Sequence, residues 1–199
     1  MLSVLGRLIF KLSGRTYSQT FIQQVRLEAS DRVLELGCGF GAILAASQLR
    51  IKSRETYVGL DLSYEMVSRA RTKRHRTKLP GQIVFLLGSA LALPLRDRFF
   101  DVVLMSHLIK YLTDDQLNLV LNEAKRVLKG GGRIVIWEFG PFISPRISQL
   151  IATKVGGQKL RSANEIRRSL EGAGFLDLNQ FRIVTPWLPW ENVAFCGRL

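Results

Sequence analysis

The chain has 199 residues, 47% of them hydrophobic and 23% charged, and these proportions predict one globular domain with an ordinary core. Its two cysteines exclude a disulfide framework and indicate a reducing cytoplasm, and no Cys/His spacing typical of a structural metal site occurs. The formal net charge of +13 favours partners that carry phosphate groups or an anionic lipid surface.

The first segment, residues 1–30, is predicted to be a helical cap on a single domain that spans residues 1–199. Its start is amphipathic: Arg7 and Lys11 lie on one helical face, and the other face carries Leu5, Leu8, Ile9 and Leu12. Such a helix packs on its own domain, lies on an anionic membrane or covers an apolar substrate, and the sequence leaves these roles open. No run of about 18 apolar residues occurs, so we predict no membrane-spanning helix.

The stretch V-L-E-L-G-C-G-F-G, from Val33 to Gly41, joins an apolar strand to a helix through a glycine-rich turn. We predict the strand at Arg32–Leu36 and the helix at Ala42–Leu49. Glycine permits positive φ and close approach of a ligand, and a helix start offers unpaired N–H groups to it. The turn is therefore typical of a site for a nucleotide-like ligand, although tight strand–helix turns without such a role also use glycine.

A second strand, Thr56–Leu60, ends at Asp61, and Ser63 is predicted to cap a helix that runs to Arg74. Asp61 thus lies at the carboxyl end of a strand, where open α/β sheets bind their ligands. A carboxylate there can accept hydrogen bonds from both hydroxyls of a ribose, or it can serve the helix that follows. The glycine turn ends twenty residues earlier, and this spacing favours the ribose interpretation, with a nicotinamide dinucleotide as an alternative ligand.

The end of that helix carries a basic cluster, Arg69 to Lys78, in which six of ten residues are Lys or Arg. A solvated helix face, contact with RNA and contact with lipid headgroups all fit such a cluster. No aromatic residue is interleaved with the basic ones, which weakens the nucleic-acid interpretation.

The remaining elements continue the alternation of strands and helices. Strands are predicted at Ile83–Leu87, Phe100–Met105 and Arg133–Phe139, followed by a closing pair at Phe181–Val184 and Val193–Cys196. Thr113 with Gln116 and Ser162 with Glu165 are capping boxes that begin two more helices. These elements predict an α/β protein with a Rossmann-like, doubly wound, seven-stranded sheet that is mostly parallel and ends in an antiparallel C-terminal hairpin.

Residues 140–161 form a connection that is too long for a simple turn between the fifth strand and the last helix. We predict a short helix within it, at residues 144–155. Long excursions in compact domains are often lids or binding loops, so this segment is a candidate lid over the site.

Four motifs, in this order, resemble those of class I S-adenosylmethionine-dependent methyltransferases: E-L-G-C-G-F-G, V-G-L-D-L-S, G-S-A-L-A-L-P-L-R-D-R-F-F-D-V-V and L-K-G-G-G-R-I-V-I. The branch with the strongest resemblance contains the ubiquinone/menaquinone methyltransferases and many small-molecule or lipid methyltransferases. The resemblance spans about Arg32 to Phe139. It implies an enzyme whose cofactor is S-adenosyl-L-methionine, with S-adenosyl-L-homocysteine as product. Because the sequence lacks metal-ligand spacing, we expect no metal.

The resemblance also implies a set of cofactor-binding residues: Glu35, Gly37, Cys38, Gly39, Gly41, Asp61, Leu62, Met66, Ser89, Ala90 and Ser106. Glu35 would favour the ammonium of the methionine part, whereas it would repel the pyrophosphate of a dinucleotide. Asp61 would take the ribose hydroxyls, and Leu62 and Met66 would pack on the adenine, although Met66 also fits a core position. The family usually has Asp where Ser89 stands, so we expect a weaker contact with the adenine amine.

Catalytic residues are harder to infer, because methyl transfer mainly needs alignment of the reactants and exclusion of water. A general base is needed only if the acceptor arrives protonated. His107, which follows Ser106 at the carboxyl end of the fourth strand, is the best candidate, since imidazole titrates in the useful range. Tyr17 in the N-terminal segment is a second candidate. For both residues, packing in the pocket wall is the alternative role.

The methyl acceptor is inferred to be a small molecule or a lipid-like compound, methylated by in-line displacement. Three features favour a lipid surface: the amphipathic start, the apolar part of the candidate lid, and the tail with Trp187 and Trp190. We therefore expect a cytoplasmic protein with peripheral contact to an anionic membrane. A tRNA or rRNA methyltransferase is one alternative, because of the positive charge. A non-catalytic cofactor-binding or activator subunit is another.

Overall fold

The computed structural model describes residues 21–140, 157–182 and 192–199, and at its centre lies a seven-stranded sheet. The strands are β1 (Val33–Leu36), β2 (Tyr57–Asp61), β3 (Ile83–Leu87), β4 (Phe100–Ser106), β5 (Leu128–Phe139), β6 (Leu176–Arg182) and β7 (Asn192–Arg198). Their order is β3-β2-β1-β4-β5-β7-β6; pairs among the first five are parallel, and β7 is antiparallel to β5 and β6. The predicted α/β class and the mostly parallel sheet with an antiparallel C-terminal edge are confirmed.

Helices cover the sheet, and three of them begin where the sequence places their side-chain caps. They are α1 (Ala42–Ile51), α2 (Tyr64–His75), α3 (Asp114–Val127) and α4 (Ala163–Gly172), with a 3-10 turn at Ile109–Tyr111 and further helical residues at 21–25. Ser63 caps α2, and complete capping boxes begin α3 and α4. Each cap pairs backbone N–H groups that a helix start would otherwise leave without a partner.

Both faces of the sheet are covered by apolar side chains. On one face α3 and α4 pack against the strands through Leu117, Val120, Leu121, Ala124, Ile166 and Leu170. On the other face the packing residues of the 21–25 helix, α1 and α2 are Phe21, Ile22, Val25, Leu44, Val67 and Ala70. All four residues of β1 are buried, because this central strand is covered from both sides.

The C-terminal strands differ from the prediction. The first strand of the closing pair was expected at 181–184, but β6 already begins at Leu176, and residues 183 and 184 lie outside the described part. This expected start was wrong because β6 is an edge strand, and its first residues, L-D-L-N, include Asp and Asn, which are rare in strands. β5 also begins earlier than expected, at Leu128, with a register shift against β4 between Phe100 and Val102.

Several predicted features lie outside the described residues: Tyr17 and most of the 1–30 cap, residues 141–156 of the candidate lid, and the tail with Trp187 and Trp190. They stay predictions. Within the described ranges, the structure has no helix that is both long and apolar enough to cross a membrane.

The strand order creates the crevice in which a ligand can bind. β1 lies between β2 and β4. From β1 the chain adds β2 and β3 on one side, and it then crosses to the other side to add β4 and β5. Ligands of open α/β sheets bind at this switch point, beyond the carboxyl ends of the strands. The residues that follow β1, β2, β3, β4 and β5 therefore form the candidate site.

Candidate functional site

The glycine turn after β1 has left-handed backbone and is hydrogen-bonded to β2 through the Gly37 N–H and the Leu60 oxygen. Gly39 and Gly41 have φ values of 52° and 72°, which glycine adopts at little cost. A Cβ on Gly41 would lie 2.4 Å from the Phe85 ring, so this position has no room for a side chain. A Cβ on Gly39 would meet no described atom within 4 Å, so the turn has open space there for a ligand.

Asp61, the last residue of β2, connects the glycine turn to the start of α2. Its Oδ2 accepts a hydrogen bond from the Gly39 N–H at 2.8 Å, and its Oδ1 accepts one from the Ser63 N–H at 2.9 Å. Each carboxylate oxygen keeps a second lone pair that can accept a further hydrogen bond. The two backbone contacts fix the orientation of the carboxylate, and they leave it able to bind a pair of hydroxyl groups.

Glu35 places a carboxyl group inside the sheet next to this turn. It lies in β1, is 2% exposed, and its Oε2 has no hydrogen-bond partner among the described residues. Burial and, secondly, the charge of Asp61 raise the pKa of Glu35 well above its usual range, against an opposing hydrogen bond with the backbone of Leu44. A buried polar atom without a partner is costly, so this oxygen fits a cationic donor from a ligand.

The residues predicted to contact an adenine lie along the other wall of the crevice, after β2 and β3. Leu62 is 77% exposed and Met66 is partly buried. The Gly88 N–H donates to the Asp61 backbone oxygen at 3.0 Å, so the turn after β3 is joined to the end of β2. Ser89 Oγ accepts from the Leu91 N–H at 3.2 Å within that turn, and Ala90 beside it is partly buried.

Cys38 is a buried residue of the glycine turn. Its pKa is raised by burial and by the nearby charges of Glu35 and Asp61. A nucleophilic cysteine needs a lowered pKa, so the thiol is suited to packing rather than to chemistry. In the described ranges, no group of three or more His, Cys, Asp or Glu residues is arranged to hold a metal ion.

Ser106 is the last residue of β4 and His107 follows it, on the opposite side of the crevice from Asp61. β1 and β4 pair in register with Leu36 opposite Met105, so Ser106 follows next to the glycine turn. His107 has φ 55°, an uncommon backbone conformation for a residue with a side chain. Its N–H donates to the Trp137 backbone oxygen at 2.7 Å, and its ring stacks on Phe139 with ring centroids 4.2 Å apart.

Two residues of this region, Lys110 and Glu138, were missed by the sequence analysis. Glu138 is 0% exposed and lies near the end of β5, where its Oε1 is 3.4 Å from His107 Nδ1 and 3.3 Å from Lys110 Nζ. Burial alone would raise the pKa of Glu138, but the hydrogen bond with His107 and the charge of Lys110 outweigh it, so the pKa is lowered. A Glu near the end of the apolar strand I-V-I-W-E-F was the available signal.

The structure thus brings Glu35, the glycine turn, Asp61, the turn after β3, and Ser106–His107 to one edge of the sheet. Comparison with known proteins identifies the family: residues 34–136 match the family model described as a methyltransferase domain. The chain is 28% identical over 161 residues to the ubiquinone/menaquinone biosynthesis C-methyltransferase of Geobacter sp. (strain M21), covering 77% of this chain and 68% of that protein.

A second relative is the 27-O-demethylrifamycin SV methyltransferase of Amycolatopsis mediterranei (strain S699), which is 29% identical over 153 residues. That match covers 74% of this chain and 55% of the relative, so the chain spans little more than half of its length. Among solved structures, geranyl diphosphate C-methyltransferase of Streptomyces coelicolor A3(2), in complex with Mg²⁺, geranyl diphosphate and S-adenosyl-L-homocysteine, is similar in fold. Its TM-score is 0.76 at 15% identity, covering 94% of this chain and 81% of that one.

Proposed function

Because the chain belongs to the methyltransferase-domain family, whose cofactor is S-adenosyl-L-methionine, we propose that it methylates a small-molecule or lipid-like acceptor. The observation that carries the proposal is the buried carboxylate oxygen of Glu35, which has no partner in the described part of the chain. It lies beside the glycine turn and Asp61, so an ammonium and a ribose would be recognised in one crevice.

The residues present fit this cofactor. Glu35 Oε2 would accept from the ammonium, Asp61 would accept from the ribose hydroxyls, and the open space at Gly39 would admit the methionine part. When bound, the cofactor supplies a methyl group carried by a positively charged sulfur. The protein's contribution is then to orient the acceptor and to exclude water, which needs no covalent catalyst.

The acceptor is proposed to bind beyond the carboxyl ends of β4 and β5, next to His107. The His107 ring packs against Trp137 and Phe139, so this part of the crevice has an apolar, aromatic wall. An acceptor that arrives with an O–H or N–H would give its proton to the imidazole. Tyr17 stays a second catalytic candidate from the sequence.

The class of acceptor is inferred from the wall of the crevice and from the relatives. The relatives and the similar structure are named for ubiquinone/menaquinone biosynthesis, for a demethylrifamycin and for geranyl diphosphate, and all of these are small molecules rather than nucleic acids. The proposed lid at residues 140–161 and the amphipathic start of the chain would cover such an acceptor. We therefore favour a lipid-like compound.

Peripheral contact with an anionic membrane is part of the proposal, and α2 offers a surface for it. Arg71 and Arg74 of the basic cluster donate to the backbone oxygens of Phe85 and Gly81, so they serve the fold. The others are exposed, and a groove of about 360 Å³ beside them is lined by Ser68, Arg69, Thr72, Lys73, Arg76 and Thr77. This basic groove suits phosphate groups at the surface of a membrane, and RNA, which carries the same groups, stays the second candidate partner.

The decisive experiment is transfer of tritiated methyl from S-adenosyl-L-methionine into a fractionated lysate, followed by partition between organic and aqueous phases. We expect label in the organic phase, and we expect none with the Asp61→Ala variant. Label in nuclease-sensitive material would establish the RNA methyltransferase instead. If the wild-type protein does not bind S-adenosyl-L-methionine in calorimetry, the proposal is wrong. Binding without transfer to any fraction would favour a non-catalytic subunit.

A further inference from the structure

His107, Lys110 and Glu138 form a cluster around one buried carboxylate at the carboxyl ends of β4 and β5. Glu138 is 0% exposed, Lys110 is 3% exposed, and the side chain of His107 is 24% exposed. Glu138 Oε1 contacts both His107 Nδ1 and Lys110 Nζ, while its Oε2 accepts from the Lys110 N–H at 3.1 Å. We propose that Glu138 positions His107 with its ring proton on Nδ1, so that Nε2 is the atom that takes a proton from the methyl acceptor. This inference rests on the proposed function.

The geometry restrains the ring from several sides. The left-handed backbone of His107 and its N–H bond to the Trp137 oxygen fix where the side chain begins. The rings of Trp137 and Phe139 contact the imidazole, with ring centroids 4.5 Å and 4.2 Å away. The contact between Nδ1 and Glu138 then sets the rotation of the ring, so Nε2 points away from the carboxylate.

The hydrogen-bond donors around the Glu138 carboxylate determine the tautomer of His107. The two oxygens of Glu138 accept from the Lys110 N–H, Lys110 Nζ and the Phe139 N–H, and His107 Nδ1 is the fourth group in contact with them. An ionised carboxylate only accepts hydrogen bonds, so the nitrogen that faces it must carry the proton. In a neutral imidazole the other nitrogen then holds the lone pair, so the contact with Glu138 decides which nitrogen that is.

Lys110 gives the cluster a second role, which is to keep the imidazole neutral. Its ammonium also donates to the His107 backbone oxygen, so the cation is held beside the ring. A protonated His107 would put two cations against one carboxylate in a buried place. Burial and the Lys110 charge lower the pKa of His107, whereas Glu138 opposes them. A further titratable neighbour is Tyr111, whose ring centroid lies 4.6 Å from Lys110 Nζ.

Nuclear magnetic resonance of ¹⁵N-labelled histidine tests the tautomer directly. The chain has two histidines, and the exposed His75 can be removed with His75→Gln, so one ring remains. At neutral pH we expect Nδ1 of His107 to be protonated and Nε2 to be unprotonated. In Glu138→Leu/Lys110→Met, which removes both buried charges together, this preference should be lost. A wild-type ring with its proton on Nε2 overturns the inference.

Two single variants test whether Glu138 and Lys110 position His107 or only stabilise the fold. They should shift the pKa of His107 in opposite directions. Lys110→Met should raise the pKa of His107 by about one unit and keep the Nδ1–H tautomer, because the competing cation is gone. Glu138→Gln should lower the same pKa by about one unit, because the attracting charge is gone. Shifts in the same direction, or no shift in Lys110→Met, contradict the inference. Glu35 and Asp61 are untouched, so cofactor binding in calorimetry reports separately on the proposed function.

Discussion

The N–H of Gly39 donates to Asp61 Oδ2 at 2.8 Å, which connects the turn after β1 to the carboxyl end of β2. The other oxygen of the same carboxylate accepts from the Ser63 N–H at the start of α2. One side chain therefore fixes two loops and also faces the crevice. Changes at Asp61 should for this reason affect both stability and cofactor binding.

We expect Asp61→Ala to abolish measurable binding of S-adenosyl-L-methionine and to lower the free energy of unfolding by about 1–3 kcal/mol, because two partly buried N–H donors lose their acceptor. Asp61→Asn should weaken binding at least about tenfold, or 1.4 kcal/mol, since its amide group can accept through one oxygen only. Calorimetry and thermal unfolding measure the two effects. Glu171→Ala, at an exposed carboxylate near the end of α4, is the control and should change neither. If Asp61→Asn binds S-adenosyl-L-methionine with unchanged affinity, Asp61 does not bind the ribose.

Without cofactor, the Glu35→Gln variant should become more stable relative to the wild-type protein as the pH rises. The folded-state pKa of Glu35 is raised, so the folded protein holds this proton more tightly than the unfolded chain does. Its contribution to stability is present below the unfolded pKa of about 4.3 and is lost as the pH rises through the folded pKa. The difference in melting temperature between variant and wild type should therefore be small near pH 4–5 and should grow toward pH 8. A constant difference across this range contradicts the buried carboxyl's role.

Cofactor binding should release a proton from Glu35. An ammonium that pairs with Oε2 favours the ionised carboxylate, so the raised pKa of Glu35 should fall on binding and protons should be released. Calorimetric titrations at one pH in two buffers of different ionisation enthalpy measure this release. The wild-type protein should release more protons than Glu35→Gln, which should also bind at least about tenfold more weakly. Equal proton release by both proteins would assign the proton to another group.

The glycines of the turn should separate folding from binding. Gly41→Ala places a Cβ 2.4 Å from the Phe85 ring in a left-handed conformation, and we expect a loss of about 2–4 kcal/mol in unfolding free energy. Gly39→Ala has the same backbone strain but faces open space, so its cost should be about 1–2 kcal/mol. Denaturant unfolding gives both values. Binding of S-adenosyl-L-methionine should fall in Gly39→Ala even where the protein is fully folded, since the new methyl group enters the cofactor's space.

Much of the fold was predictable because its signals are local. Periodicity and capping boxes placed β1 to β4 and the starts of α2, α3 and α4 within one or two residues. The start of the edge strand β6 could not be predicted in this way, because its polar residues resemble those of a loop. Glu138 and Lys110 were missed for another reason: they are 28 residues apart, and they meet only because β4 and β5 are neighbours. Which strands adjoin is set by long-range packing, which no local pattern encodes.

The exposed charges of the basic groove should determine binding to anionic vesicles. Lys73→Glu/Arg76→Glu reverses two charges that line the groove and spares Arg71 and Arg74, which donate to backbone oxygens. Each basic residue near an anionic surface contributes about 1 kcal/mol, so partition onto phosphatidylserine vesicles should fall at least about thirtyfold at low salt.

The matched control is Arg50→Glu/Arg54→Glu, which makes the same change in net charge at exposed residues near the end of α1. Cosedimentation at two salt concentrations compares the two double variants with the wild type, because screening weakens a surface contact of this kind. An equal loss in both variants would show that net charge, and not the groove, drives the contact. If vesicle binding is unchanged but salt-sensitive RNA binding is lost in Lys73→Glu/Arg76→Glu, the groove is a nucleic-acid surface and the membrane proposal is wrong.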